Sequence, residues 1–281
     1  MLAQPEWLRQ VPAALRLPDG ARVVFTGCGT SFHAAQTGAQ DRNWAVQALE
    51  AVLSPPDADL LVCVSHEGDT PLTLEAARAF RGPVWLVTGK PSSPLAELAD
   101  EVVVCTPEVE ASWCHTASYT CAVAAIAALN GEDVSWLADA VDEALRFTEP
   151  APSQGKILVA GAGRDWPTAQ EAVLKLREGA WASAGAHHTE QLLHGHLAAI
   201  DETVRAYVLE GEGRAAERAH DAVGALRELG CETTLVPTRH PVVDIVRFQL
   251  MTLALAAARG IDPDRIHRDD ARQERARATY R

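Results

Sequence analysis

The sequence predicts an α/β chain of two tandem units, each a parallel sheet flanked by helices. Three observations predict it. Short, nearly continuous apolar runs alternate with stretches of helical spacing, a proline-bearing break falls near the middle, and the segments on either side of that break repeat one pattern. Runs that are apolar at every position suit strands buried on both faces, as strands of a parallel sheet between helix layers are.

In chain order, the runs are Ala21–Thr26, Leu60–Ser65, Val84–Thr88 and Val102–Cys105, rich in β-branched residues, with helical spacing between them such as Thr73–Phe80. The break is EPAPSQG, Glu149–Gly155, whose prolines and small polar residues mark a linker. It divides the chain into 1–150, with an N-terminal helix, and 151–281, with a C-terminal tail. Strand, GxG turn and helix are read both in VVFTGCGTSFHAAQ and in ILVAGAGRDWPTAQEAV. Both halves end on a strand, a loop and a long apolar helix, the last being TASYTCAVAAIAAL in one and HPVVDIVRFQLMTLALAAA in the other. Duplication of one α/β unit explains this better than two unrelated domains. Ligands of doubly wound sheets sit beyond the carboxyl ends of the strands, so the turns after Phe25, Val64 and Val159 are where a site is expected.

Composition narrows the function. With 281 residues, 47% of them hydrophobic and 22% charged, the chain has ample material for a core. A formal net charge of −13 argues against nonspecific binding to nucleic acid or to an anionic membrane, so any anionic ligand must be held locally. The first residues lack a basic stretch followed by an apolar one, and no run approaches the roughly 18 uninterrupted apolar residues of a membrane span; a cytoplasmic protein is expected. Six cysteines scattered without CxxC spacing read as buried free thiols.

Four segments carry possible chemistry. Gly27-Cys28-Gly29-Thr30-Ser31 places backbone N–H groups and two hydroxyls at a helix start, which favours an anion, although packing of a tight turn would also explain its glycines. Ser65-His66-Glu67-Gly68-Asp69-Thr70 is a second hydroxyl-bearing turn, and the two side by side could cradle one anion. Glu171, Lys175 and Glu178 follow one another at i, i+4 and i+7 on a helical face. Such a stripe is ordinarily a solvated set of ion pairs, but its apolar neighbours suggest a cleft, where a carboxylate could shuttle a proton. Last, His187, His188, Glu190, His194 and His196 crowd into ten residues. Zinc is disfavoured because the spacing matches no ligand motif and HExxH is absent; one histidine in acid–base work or in contact with sugar hydroxyls is the better reading. No metal and no cofactor are expected.

Five motifs in this order, GCGTSFHAA at Gly27–Ala35, SHEGDT at Ser65–Thr70, EASWCHT at Glu110–Thr116, EAVLKLRE at Glu171–Glu178 and EQLLHGHLAAID at Glu190–Asp201, resemble the double-SIS (sugar isomerase domain) family. The family includes the isomerase half of glutamine–fructose-6-phosphate aminotransferase and the fructosamine-6-phosphate deglycases. The resemblance covers nearly the whole chain. It implies two flavodoxin-like subdomains, a homodimer, and a site drawn from both halves and often from both subunits, binding a sugar or sugar phosphate. It places sugar-phosphate contacts on Cys28, Gly29, Thr30, Ser31, Ser65, His66, Glu67 and Thr70. Glu178 falls on the glutamate that moves a proton between two sugar carbons, His194 on the histidine of ring opening, and Glu171 and Lys175 on the supporting charges.

Three departures stand out. Glu67 replaces a serine of the phosphate loop, which demands that it be protonated, paired with a cation such as Lys90, turned away, or met by an ammonium group or hydroxyls of the ligand. His115 stands where a small hydroxyl residue is expected. The tail IDPDRIHRDDARQERARATYR holds no lysine, whereas the synthase closes an imine with one there. The expectation is therefore isomerisation of an aldose and a ketose, or else release of an amine already on the sugar. A non-catalytic sugar-phosphate sensor is disfavoured by the retention of Glu178 and His194 and by too short a stretch before the first strand for a helix-turn-helix; a zinc hydrolase is the remaining alternative.

Overall fold

The computed structural model describes residues 1–40, 42–148, 150–151 and 155–280. The chain divides into two compact units, one over Met1–Glu143 and one over Ala144–Ala278. Much of the expected linker, residues 149 and 152–154, lies outside the described residues.

In the first unit, α1 (Gln4–Leu8) precedes β1 (Val23–Gly27), α2 (Thr30–Gln36), β2 (Trp44–Gln47), α3 (Ala48–Leu53), β3 (Leu60–Val64), α4 (Pro71–Ala79), β4 (Val84–Thr88), β5 (Glu101–Val104), α5 (Ala117–Leu129) and α6 (Leu137–Ala144). All five strands are parallel, in the order β2-β1-β3-β4-β5, which is the flavodoxin-like winding. β1 and β3 are buried at every position, as their unbroken apolar runs require. β2 is the strand that apolar runs do not reveal: it forms an edge, is four residues long, and is nowhere fully buried. Every residue of α5 is buried, so it has no polar face. Full burial of each large apolar side chain in such an element contributes roughly 1.5–3 kcal/mol.

In the second unit the order is β6 (Lys156–Gly161), α7 (Trp166–Ala180), β7 (Ala184–His188), α8 (Thr189–Leu193), β8 (Val204–Leu209), α9 (Arg214–Glu228), β9 (Glu232–Val236), α10 (Pro241–Arg259) and α11 (Ala271–Ala278). Its parallel sheet runs β7-β6-β8-β9. The strand order matches that of the first four strands of the other unit, and among the described residues no fifth strand joins it. The likeness of the two chain ends is thus offset by one strand: α5 follows a fifth strand, α10 a fourth. α10 is long and apolar enough to cross a membrane by length and composition, yet two thirds of its apolar stretch is buried within the unit, where the helix packs on α7.

The duplication extends to single glycines. A Cβ on Gly27 would lie 2.9 Å from the Ser31 backbone, and one on Gly161 would lie 2.7 Å from that of Asp165, four residues on in each case. Gly29 and Gly163 both take positive φ, 56° and 55°, with open space beside them. Only glycine enters such a turn without strain.

Candidate functional site

The carboxyl ends of β1 and β3 are neighbours, so the turns that follow them open side by side where the winding reverses. Gly29 precedes Thr30 and Ser31 at the start of α2, and no side chain caps the helix; the Ser31 N–H donates to the Cys28 carbonyl, and those of Phe32 and His33 to the Gly29 carbonyl. The Cys28 sulfur lies 3.9 Å from the Thr73 hydroxyl and is partly buried. In the second turn, Ser65 Oγ accepts from the Gly68 N–H at 3.2 Å and lies 3.3 Å from Thr70 Oγ1. Gly68, at φ 68°, backs onto Ser93, whose Oγ would be 2.1 Å from any Cβ there. Six of the expected contact residues, Cys28, Gly29, Thr30, Ser31, Ser65 and Thr70, therefore lie on two adjoining turns.

Glu67 is half-buried, and among the described residues it forms no ion pair with Lys90 or with any arginine. The His66 ring is tied into the protein itself. Its Nε2 accepts the Glu110 N–H at 2.9 Å, while its Nδ1 is buried with no hydrogen-bond partner. A nitrogen that accepts from a backbone N–H carries no proton, so Nδ1 does, and the ring is neutral. Burial, reinforced by the nearby His115, pushes its pKa down to about 4, against a raising effect from Glu110. The His66 ring stands edge-on to His115, with centroids 5.2 Å apart. It also packs against Gly89, where a Cβ would come within 2.4 Å of the ring.

Glu110 is the residue of this region whose role the sequence does not disclose. Its carboxylate accepts from the N–H groups of Thr116, Ala117 and Ser118 and from the hydroxyls of Thr116 and Ser118, at 2.6 to 3.1 Å. Burial raises its pKa, but the His115 side chain and the Ser118 and Thr116 donors outweigh this and hold it well below the usual carboxylate range. His115 Nδ1 is 3.7 Å from Glu110 Oε2. Glu110 thus fixes both the start of α5 and the place of His115.

In the second unit, α7 carries the predicted stripe, and the structure sorts its members by depth. Glu171 is 0% and Lys175 1% exposed, 3.4 Å apart, while Glu178, with 27% exposure, accepts from Lys175 Nζ at 2.7 Å. One carboxylate reaches the surface, tied to a buried ammonium. His194 follows α8, its side chain 70% exposed, with Nε2 2.7 Å from Glu190 Oε1. Arg218 of α9 donates to both oxygens of Glu190, from Nε at 2.7 Å and Nη2 at 3.2 Å. Nothing in the spacing of α9 singles Arg218 out, since Arg214 and Arg218 share one polar face. His187 meets His196 edge to face, and His188 meets Trp166. Among the described residues no three His, Cys, Asp or Glu side chains gather as metal ligands would.

The turn after β6 keeps the glycines of its counterpart but not the hydroxyls. Asp165, 5% exposed, takes the place of Ser31, and its Oδ2 accepts from the Thr238 hydroxyl, which in turn accepts the Gly211 N–H, both at 3.1 Å.

Comparison with known proteins bears on the fold. No protein-family model matches the chain. The glutamine–fructose-6-phosphate aminotransferase [isomerizing] of Zymomonas mobilis is 27% identical over 330 aligned residues, covering 92% of this chain and 54% of that protein. This chain spans about half the length of the curated relatives it matches. Among solved structures, tagatose-6-phosphate ketose/aldose isomerase from Escherichia coli superposes with a TM-score of 0.75 at 17% identity, covering 94% of this chain and 93% of that one. Glucosamine-6-phosphate deaminase from Thermotoga maritima does so with a TM-score of 0.75 at 19% identity, covering 93% of each. The chain has the SIS fold twice over, and its homologues are isomerizing aminotransferases of this class. The double-SIS resemblance carried by the five motifs is borne out.

Proposed function

We propose that the chain isomerises an aldose and a ketose that carry a phosphate, as a cytoplasmic homodimer, with Glu178 as the base. One observation carries this reading: Glu178 is an accessible carboxylate with one oxygen held at 2.7 Å by a lysine that is itself 1% exposed. Lys175 engages Oε2, which leaves Oε1 to a ligand. In the reaction, Oε1 removes the proton from the carbon beside the carbonyl, the electron pair of that C–H bond moves through to the carbonyl oxygen to give an enediolate, the hydroxyl proton passes from its own oxygen to that one, and the same carboxyl returns its proton to the former carbonyl carbon. His194 opens the sugar ring beforehand. The turns at Gly29–Ser31 and Ser65–Thr70 hold the phosphate through backbone N–H groups and hydroxyls. Neither step calls for an imine, in keeping with a tail, residues 261–281, that contains no lysine.

Glu67 favours a second reading. A half-buried carboxylate with no cation beside it among the described residues suits an amino group on the ligand, and amine release from an amino-sugar phosphate would use the same Glu178 and His194. Incubation with a panel of 6-phosphosugars and amino-sugar phosphates, following product and ammonia, separates the two. Turnover that falls at least about 100-fold in Glu178→Gln is expected, in line with the usual contribution of a general base. Binding without turnover by the unmodified chain would leave a sensor, and full activity of Glu178→Gln would remove the mechanism.

A further inference from the structure

The geometry points to Arg218 as a positioning residue for His194, acting through Glu190; the inference deepens the isomerase reading and rests on it. His194 lies just beyond the end of α8, with its side chain 70% exposed, so packing does not fix the ring. What fixes it is a relay of contacts. Arg218 grips both oxygens of Glu190 with its planar fork, and its Nη1 donates to Asp221 at 2.6 Å, which stops the guanidinium from swinging. Glu190 Oε1, held in this way, lies 2.7 Å from His194 Nε2.

A carboxylate oxygen at that distance only accepts, so Nε2 carries the ring proton and Nδ1 keeps a lone pair. Ring opening needs this tautomer. The anomeric hydroxyl gives its proton to Nδ1, the bond from the anomeric carbon to the ring oxygen breaks with its electrons on that oxygen, and the imidazolium returns the proton there. The imidazolium formed midway stands next to the Glu190 carboxylate, as the orienting acid of a catalytic triad stands next to its histidine. Without Arg218, an exposed glutamate would sample several rotamers, and both the tautomer and the ring direction would be lost for part of the time.

The test compares two substrates, one ketose 6-phosphate that cyclises through its 5-hydroxyl and its 5-deoxy analogue, which cannot close the ring. Arg218→Gln is expected to lower kcat about tenfold on the cyclising substrate, as a misplaced acid–base group does, with KM little changed. It should leave turnover of the open-chain analogue intact, and Arg218→Lys should recover part of the loss. His194→Gln follows the same pattern more strongly, whereas Glu178→Gln loses both substrates. Nitrogen-15 NMR of the His194 ring should show the Nε2–H tautomer in the parent and a mixture in Arg218→Gln. Equal losses on both substrates, or an unchanged tautomer in Arg218→Gln, would overturn the inference. If the parent turns over neither substrate, the isomerase reading fails, and the tautomer alone decides the role of Arg218. The ion pair is solvent-facing and no core side chain is altered by its loss, so the variants fold.

Discussion

Lys175→Met isolates the charge at the centre of α7, because methionine keeps an unbranched stem of similar reach and leaves little cavity. In the parent, the ammonium lies 3.4 Å from Glu171, and the two side chains are 1% and 0% exposed. A pair this deep costs much to assemble from water and more to break by halves, since the surviving carboxylate then lacks its cation in a poorly polarisable interior. The expected loss is about 3–5 kcal/mol, against about 1 kcal/mol or less for a surface pair. Lys175→Met combined with Glu171→Leu removes both charges, and most of that loss should return, so the double variant should lose far less than the two single variants added together. Urea unfolding followed by tryptophan fluorescence suits the measurement, as Trp166 opens α7 and Trp181 follows its last residue. A loss under about 1 kcal/mol for the single variant, or a double variant that merely adds two losses, would refute the argument. Turnover should fall in both variants, because Glu178 loses the donor that orients it.

Three further outcomes are expected. Gly68→Ala must push against Ser93 at a positive φ and should cost about 2 kcal/mol or more together with ligand affinity, whereas Gly29→Ala meets no neighbour and carries only the backbone cost of φ 56° and ψ −130°, about 1–3 kcal/mol; an unchanged thermal midpoint in Gly68→Ala would contradict this. The folded-state pKa of His66 is about 4 against an ordinary 6.5, so the unfolded chain binds the proton first as pH falls, and stability present above pH 6.5 drains by up to roughly 3 kcal/mol on the way to pH 4. The urea midpoint should fall across that window, and His66→Gln should flatten the fall. Glu67→Ser should shift preference from amino-bearing towards plain sugar phosphates in calorimetric titration, and an unchanged preference would remove Glu67 from specificity.

How much of this was legible in the sequence depends on what each residue answers to. β1, β3 and β4 can be read to within a residue or two because both of their faces are buried, and unbroken apolar runs follow directly. β2 escapes, since an edge strand of four half-exposed residues owes its form to pairing with β1 rather than to its own composition. On α7 the spacing of Glu171, Lys175 and Glu178 predicts a shared face, but only the packed helix reveals that two of the three are buried and one is offered to solvent. His66 sits in a motif that implies ligand contact, yet its Nε2 is spent on Glu110, a residue far along the chain that the fold alone brings near. Arg218 is of the same kind: its link to Glu190 joins two helices whose sequences hold no common signal.

The turn after β6 has consequences for how the two halves came to differ. Its backbone repeats that of the turn after β1, glycine for glycine, but Asp165 has been drawn into the place where Ser31 stands in the first copy. A carboxylate there, tied to Thr238, supplies the negative charge that such a turn attracts. The second copy thus fills with its own acid the place that a hydroxyl holds in the first. After duplication a single substitution of this type suffices to make two equal turns chemically unequal without disturbing the frame that both share.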